Sequence, residues 1–101
     1  MALSFDGTIT KPHFDRTAFK IKGKRIFATL HEPSGTVNLM LTLALQNIFC
    51  KMSKGIHPVA NKWGEKGWTT FDLKIVEKGI IQEGIAAAWK EVSSEVGKQL
   101  Q

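Results

Sequence analysis

The feature that most constrains this chain is a change of hydrophobic period partway along it. From Thr17 to Leu41 apolar residues recur at every second position, and from Leu41 onward they recur at intervals of three and four. A period of two sends alternate side chains to opposite faces of a strand, whereas a period of about 3.6 gathers them on one stripe of a helix. A run of strands followed by helices implies an α+β domain, an antiparallel β-sheet covered by helices. A bare sheet would expose too large an apolar patch for a solitary chain.

The elements follow from that pattern. Phe19 and Ile21 alternate with Lys20 and Lys22, which predicts a half-buried strand over 17–22. Gly23-Lys24 predicts a tight hairpin turn, since glycine supplies the positive φ such turns need. A second strand is expected over 25–30, with Ile26, Ala28 and Leu30 inward. His31 to Gly35 is a turn cluster. Val37, Leu39 and Leu41 alternate in a third strand over 36–41. Leu41, Leu45, Ile48, Phe49 and Met52 then share a helical face, which predicts a helix over 42–54. Thr42 suits its N-cap and Gly55 its end. Residues 56–67 read as irregular. Over 68–73 a strand returns, with Thr69, Phe71 and Leu73 on one side and Trp68, Thr70 and Asp72 on the other. Ile81, Ile85, Ala88, Trp89, Val92 and Val96 predict a long helix over 77–98. Residues 1–16, broken by Asp6, Gly7, Lys11, Pro12 and Asp15, predict an irregular lead-in.

Size and composition bound the rest. The 101 residues amount to one domain, 1–101, able to bury roughly 60–70% of the surface its unfolded form exposes. Cys50 is the sole cysteine, so no internal disulfide forms and a reducing, cytoplasmic location is expected. No apolar run reaches the length of a membrane span, and Met1 to Asp6 lacks the basic start and apolar run of a signal peptide. Net charge is +5, carried by twelve lysines but only Arg16 and Arg25 as arginines. Such a charge permits attraction to nucleic acid. Lysine makes a point-charge contact with phosphate, whereas arginine is the better reader of guanine edges, so the composition favours backbone contact over sequence readout.

Catalytic and metal-binding patterns are sparse. His13, His31 and His57 are scattered, with no paired ligand at zinc-site spacing. Cys50 and His57 can be imagined as a nucleophile pair, but a cysteine beside the apolar face of a helix reads first as a small packed side chain. Asp72 sits in a strand between Phe71 and Leu73 and reads as a hydrogen-bonded structural carboxylate. Gly64-Glu65-Lys66-Gly67 lacks the spacing of a phosphate-cradling loop. No enzyme activity, cofactor or metal is expected. Two basic stretches remain. Lys11, Arg16, Lys20, Lys22, Lys24 and Arg25 lie within one, and Lys62 and Lys66 alternate with Trp63 and Trp68 in the other. Basic hairpin tips with a basic aromatic loop are the ingredients of phosphate contact beside a stacking or wedging ring. A solvated, lysine-rich face at a sheet edge would carry the same pattern.

A family resemblance rests on these same segments. Pro12-His13-Phe14-Asp15-Arg16, Phe19 to Lys24 and Ile26 to Leu30 resemble the opening hairpin of MmcQ/YjbR-like proteins. Phe49-Cys50, Pro58 to Gly64 and Gly67 to Leu73 resemble that family's central block, and the likeness covers roughly residues 3–96. It implies a CyaY-like (frataxin-like) antiparallel sheet backed by helices, and a non-enzymatic DNA-binding role of the "double wing" type. Family members begin with a helix that ends near the counterpart of Ala2-Leu3-Ser4, so that helix is expected to be shortened or missing here. Asp6 also stands where the family often has proline. Iron binding of the frataxin kind is not expected, because a dense acidic run is lacking. Together these readings predict weak, salt-dependent contact with double-stranded DNA. Lys20, Lys22, Lys24, Arg25, Lys62 and Lys66 would meet phosphates, and Trp63 would stack or wedge. The alternative is a protein-interaction or small-ligand module on the Trp-bearing sheet face, with Trp63, Trp68, Asp72 and His57 converging.

Overall fold

In a computed structural model, residues 7–13 and 15–99 are described. The expected change at the N-terminal helix falls outside them. Among the described residues nine elements follow in order: β1 (Thr8–His13), β2 (Arg16–Ile21), β3 (Ile26–His31), β4 (Thr36–Met40), α1 (Leu43–Cys50), β5 (Ile56–Pro58), α2 (Lys62–Glu65), β6 (Trp68–Asp72) and α3 (Lys78–Gln99). The strands form one sheet in the order β1-β2-β3-β4-β6-β5, and every neighbouring pair is antiparallel. The α+β class expected from the change of period is therefore the class observed.

The lead-in is not irregular throughout. Residues Thr8–His13 pair with β2 along its length, Thr8 opposite Ile21 and Pro12 opposite Thr17. Pro12 and Lys11 concealed this strand in the sequence, because proline cannot donate to a ladder. β1 lies at the end of the sheet, where a proline is tolerated with its nitrogen turned outward.

The hairpin between β2 and β3 closes as expected. Gly23 sits at φ +79, and the Lys24 N–H donates to the Ile21 carbonyl at 2.8 Å. One detail differs. Phe19 pairs with Ala28 but Lys20 pairs with Ile26, so Phe27 is an extra residue in a β-bulge. A bulge places two consecutive residues against one and breaks the alternation. Phe27 and Ala28 are therefore both buried, and Ile26 goes to the opposite face rather than inward.

Register fixes what each face carries. Phe19, Ala28, Leu39, Thr69 and Phe71 lie on one face. Helix α3 packs there, tightly enough that a β-carbon on Gly84 would meet Leu39 and Phe71 at 2.9 Å. Ile81, Ile85, Ala88 and Val92 of α3 are buried in the resulting core, as the helical spacing predicts. Helix α1 covers the same face, with the Phe49 and Phe71 rings 5.7 Å apart. It ends at Cys50, short of the expected 54. The Lys51 and Met52 N–H groups turn back to the carbonyls of Ile48 and Phe49, a tightened final turn. With only two turns, α1 buries Gln46 and Phe49 and leaves Ile48 and Met52 exposed. Leu73 also departs from expectation: it lies just past β6 in a turn held by a Leu73 N–H to Gly35 carbonyl bond of 2.9 Å, and it is exposed.

Candidate nucleic-acid interface

The other face of the sheet carries Arg16, Ala18 and Lys20 of β2, Ile26, Thr29 and His31 of β3, Asn38 of β4, and Trp68 and Thr70 of β6. Neither α1 nor α3 lies on it, since both pack on the Phe71 side. Across it runs a groove of about 450 Å³. Arg16, Arg25 and Ile26 form one side, Thr29 and Asn38 the floor, and Asn61, Trp63 and Trp68 the other side.

Local structure sets each of these groups. The Arg16 guanidinium lies along the sheet and donates to the Thr29 hydroxyl at 2.9 Å and the Thr29 carbonyl at 3.2 Å. Partial burial pulls its pKa down from the ordinary value, and the neighbouring Asp15 carboxylate opposes that shift. Asp15 itself accepts from the His31 ring at 3.0 Å, and the other His31 ring nitrogen meets the Ser34 hydroxyl at 2.6 Å. Arg25 is exposed. It precedes the bulge, which sends Ile26 to the same face.

The tryptophan side depends on α2. Its N-cap is Asn61, whose side-chain oxygen accepts from the Trp63 N–H at 2.9 Å. Trp63 is 57% exposed, and the Lys66 ammonium lies 5.4 Å from the centre of its ring. Such a cation over an indole is attractive. Beneath, the Gln46 amide of α1 donates to the carbonyls of Gly64 at 2.9 Å and Trp68 at 3.2 Å. Asn38 and Thr70 meet across β4 and β6, the hydroxyl donating to the amide oxygen at 2.7 Å.

The residues expected to meet phosphate are divided by the fold. Arg25 and Trp63 line one groove although they come from different basic stretches. Lys20 lies on the same face, opposite Ile26, and Lys66 stands by Trp63. Lys22 is exposed in the hairpin turn. Lys24 points the other way, its ammonium donating to the Ser93 carbonyl of α3 at 3.1 Å. Lys62 faces a second, shallow depression with Pro58 and Glu65.

The four groups expected to converge in the alternative reading divide too. Trp63 and Trp68 share the groove. Asp72 is four residues further along β6 than Trp68, about 13 Å away at strand rise, and its carboxylate accepts from the Lys74 N–H at 2.9 Å. His57 is exposed on β5, its ring bonded to the Pro58 carbonyl at 3.2 Å. Cys50 is half-buried, and burial pushes its thiol pKa up.

Sequence reasoning passed over Arg16, Ile26, Asn38 and Asn61 as groove residues. One signal was present for Ile26: strict alternation would have left Phe27 in water, so an apolar pair at Phe27-Ala28 marks a bulge. No protein-family model matches the chain, and no curated protein or solved structure matches it significantly.

Proposed function

We propose that this protein is a non-enzymatic nucleic-acid-binding module of the MmcQ/YjbR-like kind, with a CyaY-like arrangement, that contacts the DNA phosphate backbone through the sheet face opposite α1 and α3. One observation carries this reading. Arg25 and Trp63, from two separate basic stretches, line a single groove together with Arg16 and Trp68. Two guanidiniums beside the exposed Trp63 ring and the half-buried Trp68 ring suit a phosphate next to a base. Lys20, Lys22 and Lys66 extend the positive charge around it, and Lys62 adds to it from the far side of α2. The net charge of +5 supports the same reading, as does the sequence resemblance.

Each phosphate neutralised releases counterions, so affinity falls steeply as salt rises. Titrating a labelled DNA duplex at low and at moderate ionic strength is the test. Binding that weakens strongly with salt is expected. No binding at low salt, or binding indifferent to salt, overturns the proposal.

A second reading has its own support. The groove volume of about 450 Å³ lies within the range of small-molecule sites, roughly 300–1,000 Å³, so a protein segment or small ligand on the Trp-bearing face is the alternative. Chemical-shift mapping separates the two: perturbation confined to the groove, with DNA leaving the surrounding lysines unmoved, favours the alternative.

A further inference from the structure

Resting on that nucleic-acid reading, we infer that the groove takes an unpaired base of a single strand, stacked on Trp63, rather than the edge of a duplex. Three observations lead there. First, the Trp63 ring is 57% exposed and its backbone N–H is already satisfied by Asn61. The ring is therefore held out on a capped turn rather than packed in the core. An indole face stacks on a base face, and in a duplex base faces are hidden against each other while only their edges reach the grooves.

Second, the groove is concave and mixed in chemistry. Ile26 and Trp68 are apolar, whereas Arg16 and Arg25 are cationic. Among the described residues, no carboxylate lines it. Among those same residues, Asp15 and Asp72 are acidic groups near that face; their oxygens accept from His31 and from the Lys74 backbone, and Asp15 also acts on Arg16. A splayed nucleotide offers the matching set, a flat ring with an adjoining phosphate.

Third, both groove asparagines already use their side-chain oxygens within the protein. Asn61 accepts from the Trp63 N–H and Asn38 from the Thr70 hydroxyl. Their amide nitrogens remain as donors. A pair of donors suits the carbonyl oxygens of thymine or uracil better than adenine, whose exocyclic group is itself a donor. The strand should therefore prefer carbonyl-bearing pyrimidines.

The test compares short oligo(dT), oligo(dA), a blunt duplex and thymidine monophosphate, using fluorescence anisotropy at low salt with quenching of the intrinsic tryptophan emission. Oligo(dT) should bind most tightly and quench. Trp63→Ala should weaken oligo(dT) roughly tenfold to a hundredfold and abolish most of the quenching, while duplex affinity stays within about twofold. Trp89→Phe, on α3, should leave both unchanged. Equal binding of duplex and oligo(dT), with Trp63→Ala affecting neither, overturns the single-strand assignment and leaves backbone contact standing. The monophosphate binding as tightly as the oligonucleotide overturns it in favour of a free nucleotide. No nucleic acid binding at low salt overturns the underlying reading itself.

Discussion

The buried side-chain amide of Gln46 donates to the carbonyl oxygen of Gly64 at 2.9 Å, tying α1 to α2. A second bond from the same amide reaches Trp68. One polar side chain thus fixes the turn that carries Trp63 against the strand that carries Trp68. Replacing it with alanine removes two hydrogen bonds, while the Gly64 and Trp68 carbonyls keep those from the Gly67 and Val59 N–H groups; at about 0.5–1.5 kcal/mol per bond the cost is about 1–3 kcal/mol. Urea unfolding of Gln46→Ala should show a lower midpoint with an unchanged slope. A midpoint equal to that of the parent protein refutes the role.

Two glycines should respond to alanine in opposite directions. A β-carbon on Gly64 would fall on the carbonyl oxygen of Val59, whereas one on Gly79 would meet nothing within 4 Å. Gly64→Ala must displace backbone and should cost about 3 kcal/mol. Gly79→Ala restricts the unfolded chain in an open helical turn and should gain up to about 1 kcal/mol. Thermal unfolding of both variants reads the contrast. A stable Gly64→Ala protein would mean that α2 does not sit against Val59 as described.

Charge removal should separate the two sides of the hairpin tip. Lys24 donates to Ser93 on the helix side, whereas Arg25 lines the groove. Arg25→Gln should therefore lower DNA affinity and reduce the salt slope by about one. Lys24→Gln should leave the slope nearly unchanged. The reverse ranking in a salt-dependence measurement would move the interface to the other side of the sheet.

Cys50 gives a prediction in pH. Burial raises the pKa of its thiol, so the folded protein keeps that proton to higher pH than the unfolded chain, whose thiol titrates near about 8.5. Above that value the unfolded chain has lost the proton and the folded one has not. Stability then falls as pH rises through the folded pKa. Urea midpoints should decline on the alkaline side, and Cys50→Ala should remove part of the decline. At about pH 8 a thiol reagent should label the folded protein more slowly than the unfolded one. Equal labelling rates count against a buried thiol.

Periodicity made the sheet and the long helix legible, because burial on one face leaves a regular imprint. The expected helix over 77–98 is α3 within a residue at either end, and Phe19, Val37 and Phe71 fall on the helix-covered face as their spacing requires. What stayed hidden were local exceptions to periodicity. β1 needs only one paired side, so it tolerates Pro12. The bulge at Phe27 adds a residue and moves Ile26 and Arg25 with it. Helix α1 turned its inward face to Gln46, a polar residue that spacing alone would leave in water. The candidate site was legible only as ingredients, since the meeting of Arg25 with Trp63 depends on tertiary structure.

That meeting has a thermodynamic consequence. One side of the groove comes from the β2–β3 hairpin and the other from the segment between α1 and β6. In the unfolded chain those segments lie far apart along the backbone, so no partial assembly of the groove persists. A ligand of the groove binds only the native ensemble, and its binding free energy adds to the folding free energy through mass action. A molecule that occupies this groove should therefore raise the melting temperature in proportion to the logarithm of its concentration. A bare thermal scan against candidate ligands would then report occupancy without any labelled partner.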